Sequence, residues 1–218
     1  MSETESPPRR RKARPPKRER RIPAAGPAPT EALLHEAALN HLARFAATEA
    51  GLVRVLQRRV ARWAQRAERE GQAADVLAPL VAAGRAAAEV VAKRMVGAGA
   101  VDDAAFAAAR TRRLSRAGRS RRAIAAHLQT KGVRSPVAQE TLEAAETDEV
   151  AAALTALRRR RAGPFDPNPP EDPDARRTAR LKAMGALARA GFPRDVAEAA
   201  LDVAPEEAEA RLIAVRRG

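Results

Sequence analysis

The sequence predicts an all-α protein made of helical units stacked in tandem, and three observations carry that expectation. From residue 30 onward apolar residues recur at helical spacing, with Gly, Pro and Ser/Thr/Asp at the breaks. Ala, the strongest intrinsic helix former, fills 55 of 218 positions, and no alternating β-branched or aromatic run marks a strand. Two segments also match without gaps at an offset of 59: "LQTKGVRSPVAQETL" (128–142) lies over "LARAGFPRDVAEAAL" (187–201). Gly132 pairs with Gly191, Val133 with Phe192 and Leu142 with Leu201. Each copy reads as helix, Gly stop, one apolar residue, turn and second helix, and units this small must stack on neighbours to bury their faces.

Residues 1–29 hold nine basic and three acidic residues among frequent prolines, the composition of a disordered basic arm. The first unit, residues 30–98, opens with Thr30 as N-cap and the stripe Leu33, Leu34, Ala37, Ala38, Leu42 and Phe45. Thr48 caps a second helix with Leu52, Val55, Leu56, Val60 and Trp63 on one side, interrupted at Gly71. A third, from about Ala74 to Val96, presents Leu77, Leu80, Val81, Ala88 and Val91, with Gly84 as a weak point, and ends at Gly97 and Gly99.

The second unit, residues 99–146, starts where Asp102 and Asp103 face the exposed amides of a helix N-terminus. That helix runs to about Arg116, is expected to bury Phe106, Ala109 and Leu114, and breaks at Gly118. Ser120 starts the next, with Ile124 and Leu128 one turn apart and Gly132 at C′; Ser135-Pro136 reads as N-cap and N1 of the third. Thr147-Asp148 opens the third unit, residues 147–204, whose first helix passes Leu154 and Leu157 to the run Arg158 to Arg161. A Pro- and Asp-rich loop at 163–175 precedes helices at about 175–190 and 193–201, and residues 205–218 form a C-terminal tail with a short helix of its own.

Leu, Ile, Val and Phe together fill only 39 positions, so the core is thin and net stability rests on few side chains. The absence of Cys excludes disulfides and thiolate metal sites, and His35, His41 and His127 lack ligand spacing. Neither a membrane-spanning apolar stretch nor a secretory signal is present, so a cytoplasmic protein is expected. The formal charge of +14 points to a polyanion or an acidic protein surface as partner, although Arg outnumbers Lys 36 to 5, which reduces the weight of any single Arg.

Beyond the arm, a second basic run lies in the middle of the chain. Between Arg110 and Arg134 lie nine basic residues and no acidic one. Arg110 and Arg113, or Arg112 and Arg116, are helical neighbours that repel by about 0.2–0.5 kcal/mol per pair, so stability does not account for them. Arg119, Arg121 and Arg122 sit near a helix start, where positive charge is unfavourable. An opposing anionic surface explains both. With one Trp, four Phe and no Tyr, base stacking has few candidates, which favours a target combining protein surface and DNA backbone.

Gly99, Val101, Asp102, Asp103, Phe106 and Ala107, an Arg-rich turn at Gly118, then Ile124, Leu128, Lys131, Gly132 and Val133 together resemble the RecX family of bacterial recombination regulators. "ALNHLAR" at 38–44 is similar to the opening of that family's first unit and "LARAGFPRDVAEAAL" to the close of its third, so the resemblance covers roughly residues 30–204. It implies tandem three-helix units in an elongated, curved array that binds the RecA recombinase, inserts into the groove of its filament on single-stranded DNA and restrains recombination and SOS functions. On that basis Arg110, Arg112, Arg113, Arg116, Arg119, Arg121, Arg122 and Lys131 are the expected filament- and DNA-binding surface of a monomeric, cofactor-free regulator. Asp102 and Asp103 read as caps, no nucleophile–base pairing or metal spacing is visible, and no enzymatic activity is expected. The alternative is a general basic DNA-binding protein without a recombinase partner. Three features depart from the family pattern: extra length at 60–82, the loop at 163–175 and the basic arm.

Overall fold

The computed structural model describes residues 24–217, so the basic arm over residues 1–23 and Gly218 lie outside the described residues. Ten α-helices and one 3-10 turn account for the secondary structure, and no strand occurs among the described residues. Three helices form each unit: α1 (Glu31–Leu42), α2 (Glu49–Arg69) and α3 (Ala74–Gly97); α4 (Asp103–Arg116), α5 (Arg121–Lys131) and α6 (Ser135–Ala144); α7 (Glu149–Arg160), α8 (Pro173–Arg189) and α9 (Arg194–Asp202). A tenth helix, α10 (Pro205–Arg217), packs on α7. Within each unit the three helices pack on one another, while α4 against α7 links the second unit to the third.

Each unit encloses its own apolar cluster. The first is built on Leu34, Leu52, Leu56, Val60, Val91 and Met95, the second on Ala107, Ile124, Leu128, Val133 and Ala138, the third on Leu154, Leu157, Leu187 and Phe192. Burying one such Leu or Ile stabilises by roughly 1.5–3 kcal/mol. The middle cluster, with only two fully buried large side chains, Ile124 and Leu128, is the weakest of the three. The third is completed by Ala208 and Leu212 of α10, so the segment read as a tail closes that core.

The sequence repeat is a structural repeat. Gly132 and Gly191 end α5 and α8 in left-handed geometry, φ 90° and 87°, and the following apolar residue folds back under the helix it terminates. Val133 N donates to the Leu128 carbonyl at 3.0 Å and Phe192 N to that of Leu187 at 3.1 Å, and all four side chains are buried. The first unit repeats the backbone turn at Gly71, φ 91°, where Gln72 N donates to the Ala67 carbonyl at 3.0 Å, with a polar, exposed residue in place of the buried apolar one. Its hairpin is longer, since α2 has 21 residues against 11 in α5, and α3 has 24 against 10 in α6. The extra length at 60–82 is therefore ordered helix, and a separate cluster of Trp63, Ala67 and Leu77 supports it.

Several expectations need correction. Phe45 leaves the stripe because α1 stops at Leu42, and the residue is 56% exposed. Phe106 and Leu114 pack against the middle cluster as expected, but Ala109 is exposed, and Ala107 and Thr111 are buried in its place. Leu80 is likewise exposed. Ser135 is the first residue of α6 and not its cap; Arg134 takes the N-cap position without a side-chain bond. The 163–175 segment holds a 3-10 turn at Gly163–Phe165, and α8 begins two residues before the expected start, capped by Asp172. Residues 24–29, read as the end of a disordered arm, run along the long hairpin: the Gly26 carbonyl accepts from Trp63 Nε1 at 3.1 Å.

Adjoining units meet through the same contacts twice. At the first junction Thr48, the N-cap of α2, donates its hydroxyl to the Lys131 carbonyl at 2.6 Å, at the C-terminus of α5. At the second, Ser120, the N-cap of α5, donates to the Ala190 carbonyl at 2.7 Å, at the C-terminus of α8. A carboxylate from the next unit then caps the same N-terminus. Asp103 Oδ1 accepts from Glu49 N at 2.8 Å, and Glu149 Oε1 accepts from Arg121 N at 3.2 Å. Middle helices therefore abut end to end, each cap hydroxyl accepting from its own helix's amide and donating to the neighbouring helix's last carbonyls, which satisfies groups that helix ends otherwise leave to water.

The Asp148 cap of α7 also receives Arg211 from α10, at 2.6 and 2.9 Å. Burial works to raise the Asp148 carboxyl, but the Arg211 hydrogen bonds, the Ala151 amide and the guanidinium charge outweigh it and hold it below the usual carboxylate value. A depressed folded value means stability that is present above the unfolded value of about 4 and lost as pH falls through the folded one. Arg211→Ala is therefore expected to destabilise more at about pH 6 than at about pH 3, as read by urea melts. Equal losses at both would mean that Arg211 acts by packing alone.

Candidate functional site

Helix α4 carries four arginines, three of them on one face. At 3.6 residues per turn, Arg112, Arg113 and Arg116 fall within about 100° on the side opposite the buried Ala107 and Thr111, and Arg110 flanks them. All three are exposed. Clefts border this face on three sides, and each places different residues beside it.

The first cleft, about 590 Å³, lies between the turn after α1 and the outer side of α4; Arg110 and Arg113 line it with Arg44 and Phe45. Here the Arg44 guanidinium sits 5.8 Å from the Phe45 ring centre and that of Arg110 5.4 Å from Phe106. Arg112 faces a second cleft, where Asp102, Glu140 and Glu146 dilute its charge. Arg116 lies in a third with Arg158 and Arg159 of α7 and Leu212 of α10. That cluster forms because Gly118, φ 73°, seats the α4–α5 turn directly on α7: a Cβ there would meet Thr155 Cβ at 2.9 Å and the Ala152 carbonyl at 3.0 Å.

The remaining four predicted residues divide. Arg121 has structural partners: its guanidinium donates to the Leu142 carbonyl and its amide to Glu149. The Glu149 carboxylate also supplies negative charge at the start of α5, so the positive charges there do not require an external anion. Arg122 lies beside Gly191 at the junction with the third unit. Lys131 is exposed at the far end of α5, and its carbonyl is the acceptor of the first junction. Arg119 is exposed. Burial, with the charges of Arg110, Lys131 and Arg119, holds His127 below the usual imidazole value.

The eight residues thus do not make one patch. Four line α4, and the structure adds Arg44, Phe45, Arg158 and Arg159 to that face. The Arg158 to Arg161 run was visible in the sequence, but only folding shows that its first two members stand beside Arg116. Among the described residues no group of three or more His, Asp or Glu is placed to hold a metal, and no helix is long and apolar enough to cross a membrane.

Three-helix units joined by repeated end-to-end junctions, with arginines along the middle one, define a helical-repeat protein whose accessible chemistry is a cationic surface. Comparison with known proteins agrees. The model of the second three-helix domain of RecX matches residues 102–142, the segment from the α4 cap to α6. A regulatory protein RecX of Myxococcus xanthus is 35% identical over 207 residues, 94% of this chain and all of that protein. One from Agrobacterium fabrum is 36% identical over 113 residues, 52% of this chain and 58% of that protein. The chain belongs to the RecX family.

Proposed function

We propose that this chain regulates the RecA recombinase by lying along its filament on single-stranded DNA and restraining strand exchange, ATP turnover and the associated SOS functions. The observation that carries the reading is the outward face of α4, where Arg112, Arg113 and Arg116 stand exposed, joined by Arg158 and Arg159, in a member of the RecX family. Arginine neighbours on an open helix face are a stability cost. An acidic protein groove or a phosphate backbone compensates that cost.

ATP hydrolysis by the host recombinase on single-stranded DNA tests this, with the chain titrated in and excess DNA as a control for sequestration. Inhibition well below one copy per recombinase monomer, unchanged by added DNA, is expected. No effect, or one abolished by extra DNA, would instead indicate a general DNA-binding protein.

A further inference from the structure

We propose that the cleft between the turn after α1 and the outer face of α4 is a nucleobase-stacking seat, holding single-stranded nucleic acid with a base on Phe45 and the adjoining phosphates on Arg110 and Arg113. The proposal deepens the recombinase reading by naming where a strand is gripped, and rests on that reading only for the strand's setting.

Phe45 is the start of the argument. The residue is 56% exposed although the chain has few large apolar side chains to bury, so folding has left it in water. It is not bare apolar surface either. Arg44 stands 5.8 Å from the ring centre and is steadied by donating from Nε to the Asn40 carbonyl at 3.2 Å, while His41 packs at 5.3 Å with a 37° tilt. Across the cleft Arg110 covers Phe106 at 5.4 Å, and Arg113 lies one turn further along α4. Asp102 is the single acidic lining residue and is occupied, accepting from Ala105 N at 2.9 Å.

Alternating rings and guanidinium groups match a polymer that alternates planar bases with phosphates. Single strands meet that description; duplex DNA keeps its bases stacked inside. At about 590 Å³ the cleft is within the range of nucleotide-sized ligand sites. The scarcity of aromatics therefore does not argue against base stacking here, since one exposed ring in a cationic setting suffices for one base.

The test uses the full chain and a labelled oligothymidylate of about 20 nucleotides, longer than the ~4–16 nucleotides that single-strand binding folds occupy. Anisotropy is read at two salt concentrations. Phe45→Ala is expected to weaken binding about 5- to 100-fold with an unchanged salt slope, because stacking releases no counterions. Arg113→Ala should instead make the slope shallower by about 0.7. Phe45→Trp should restore affinity, duplex binding should not respond, and an iodouracil-substituted strand should photocrosslink at Phe45. Because the ring is exposed and lies beyond α1, circular dichroism and melting should match the unsubstituted chain.

Unchanged single-strand affinity in Phe45→Ala, crosslinks confined to the basic arm, or equally tight competition by a free mononucleotide would each overturn the proposal. Recombinase inhibition without any dependence on Phe45 would reject the cleft alone. Phe45-dependent binding without an effect on the recombinase would reject the recombinase reading alone.

Discussion

Gly132→Ala is expected to destabilise the chain by about 2–4 kcal/mol, the largest effect we anticipate from a single methyl group. Two costs combine. The residue sits at φ 90°, a left-handed conformation that costs an L residue roughly 1–2 kcal/mol. The new Cβ would also lie 2.5 Å from the Ala50 Cβ, which belongs to α2 and cannot rotate away. Relief requires the first junction to open, and that would break the Thr48 bond to the Lys131 carbonyl and the bond from Arg54 to the same oxygen at 2.7 Å. Against a total stability of about 5–15 kcal/mol this loss is large.

Gly185→Ala supplies the control. Gly185 lies inside α8, and a Cβ there would meet only the mobile Arg189 guanidinium at 3.4 Å, so a gain of up to about 1 kcal/mol is expected. Urea melts of the two variants should move in opposite directions. If Gly132→Ala melted with the unsubstituted chain, the end-to-end junction would not be the tight contact described.

Arg112→Glu combined with Arg116→Glu is expected to reduce binding to the recombinase filament about 100-fold or more while leaving helicity and melting nearly unchanged. Both side chains are exposed and make no ion pair among the described residues, so the fold loses little. The partner surface then faces two like charges in place of complementary ones, a change of several kcal/mol at an interface. Arg58→Glu with Arg59→Glu, exposed on α2 away from α4, makes the same charge change elsewhere and should cost little affinity. Equal losses in both doubles would indicate response to net charge alone; an unaffected Arg112/Arg116 double would remove α4 from the interface.

Much of the fold was legible because its determinants are local. Thr30, Thr48, Asp102 and Ser120 all cap the helices they precede, each accepting from the amide three residues on. Gly132 and Gly191 stop helices for a reason intrinsic to the residue, freedom at positive φ. Burial is not local in this sense. Ala107 and Ala109 are chemically identical in sequence, and which of them faces the core depends on where α5 and α6 lie. Phe45 looked like core because its spacing continued the α1 stripe, yet the helix had already ended.

The sequence by itself determined the helices, their order, their grouping into repeats and the concentration of arginine along α4 and α5. These follow from propensity, capping and periodicity, which act over a few residues. Tertiary structure alone decided which arginines share a surface: Arg116 with Arg158 and Arg159, Arg110 and Arg113 with Arg44, and Arg121 withdrawn to bond with the Leu142 carbonyl. It also made Asp103, expected at the N-terminus of its own helix, and Glu149 acceptors for the amides of neighbouring helices. The physical reason is that helix ends carry unpaired amides and carbonyls whatever the sequence, and only the docking of one unit on the next determines which groups satisfy them.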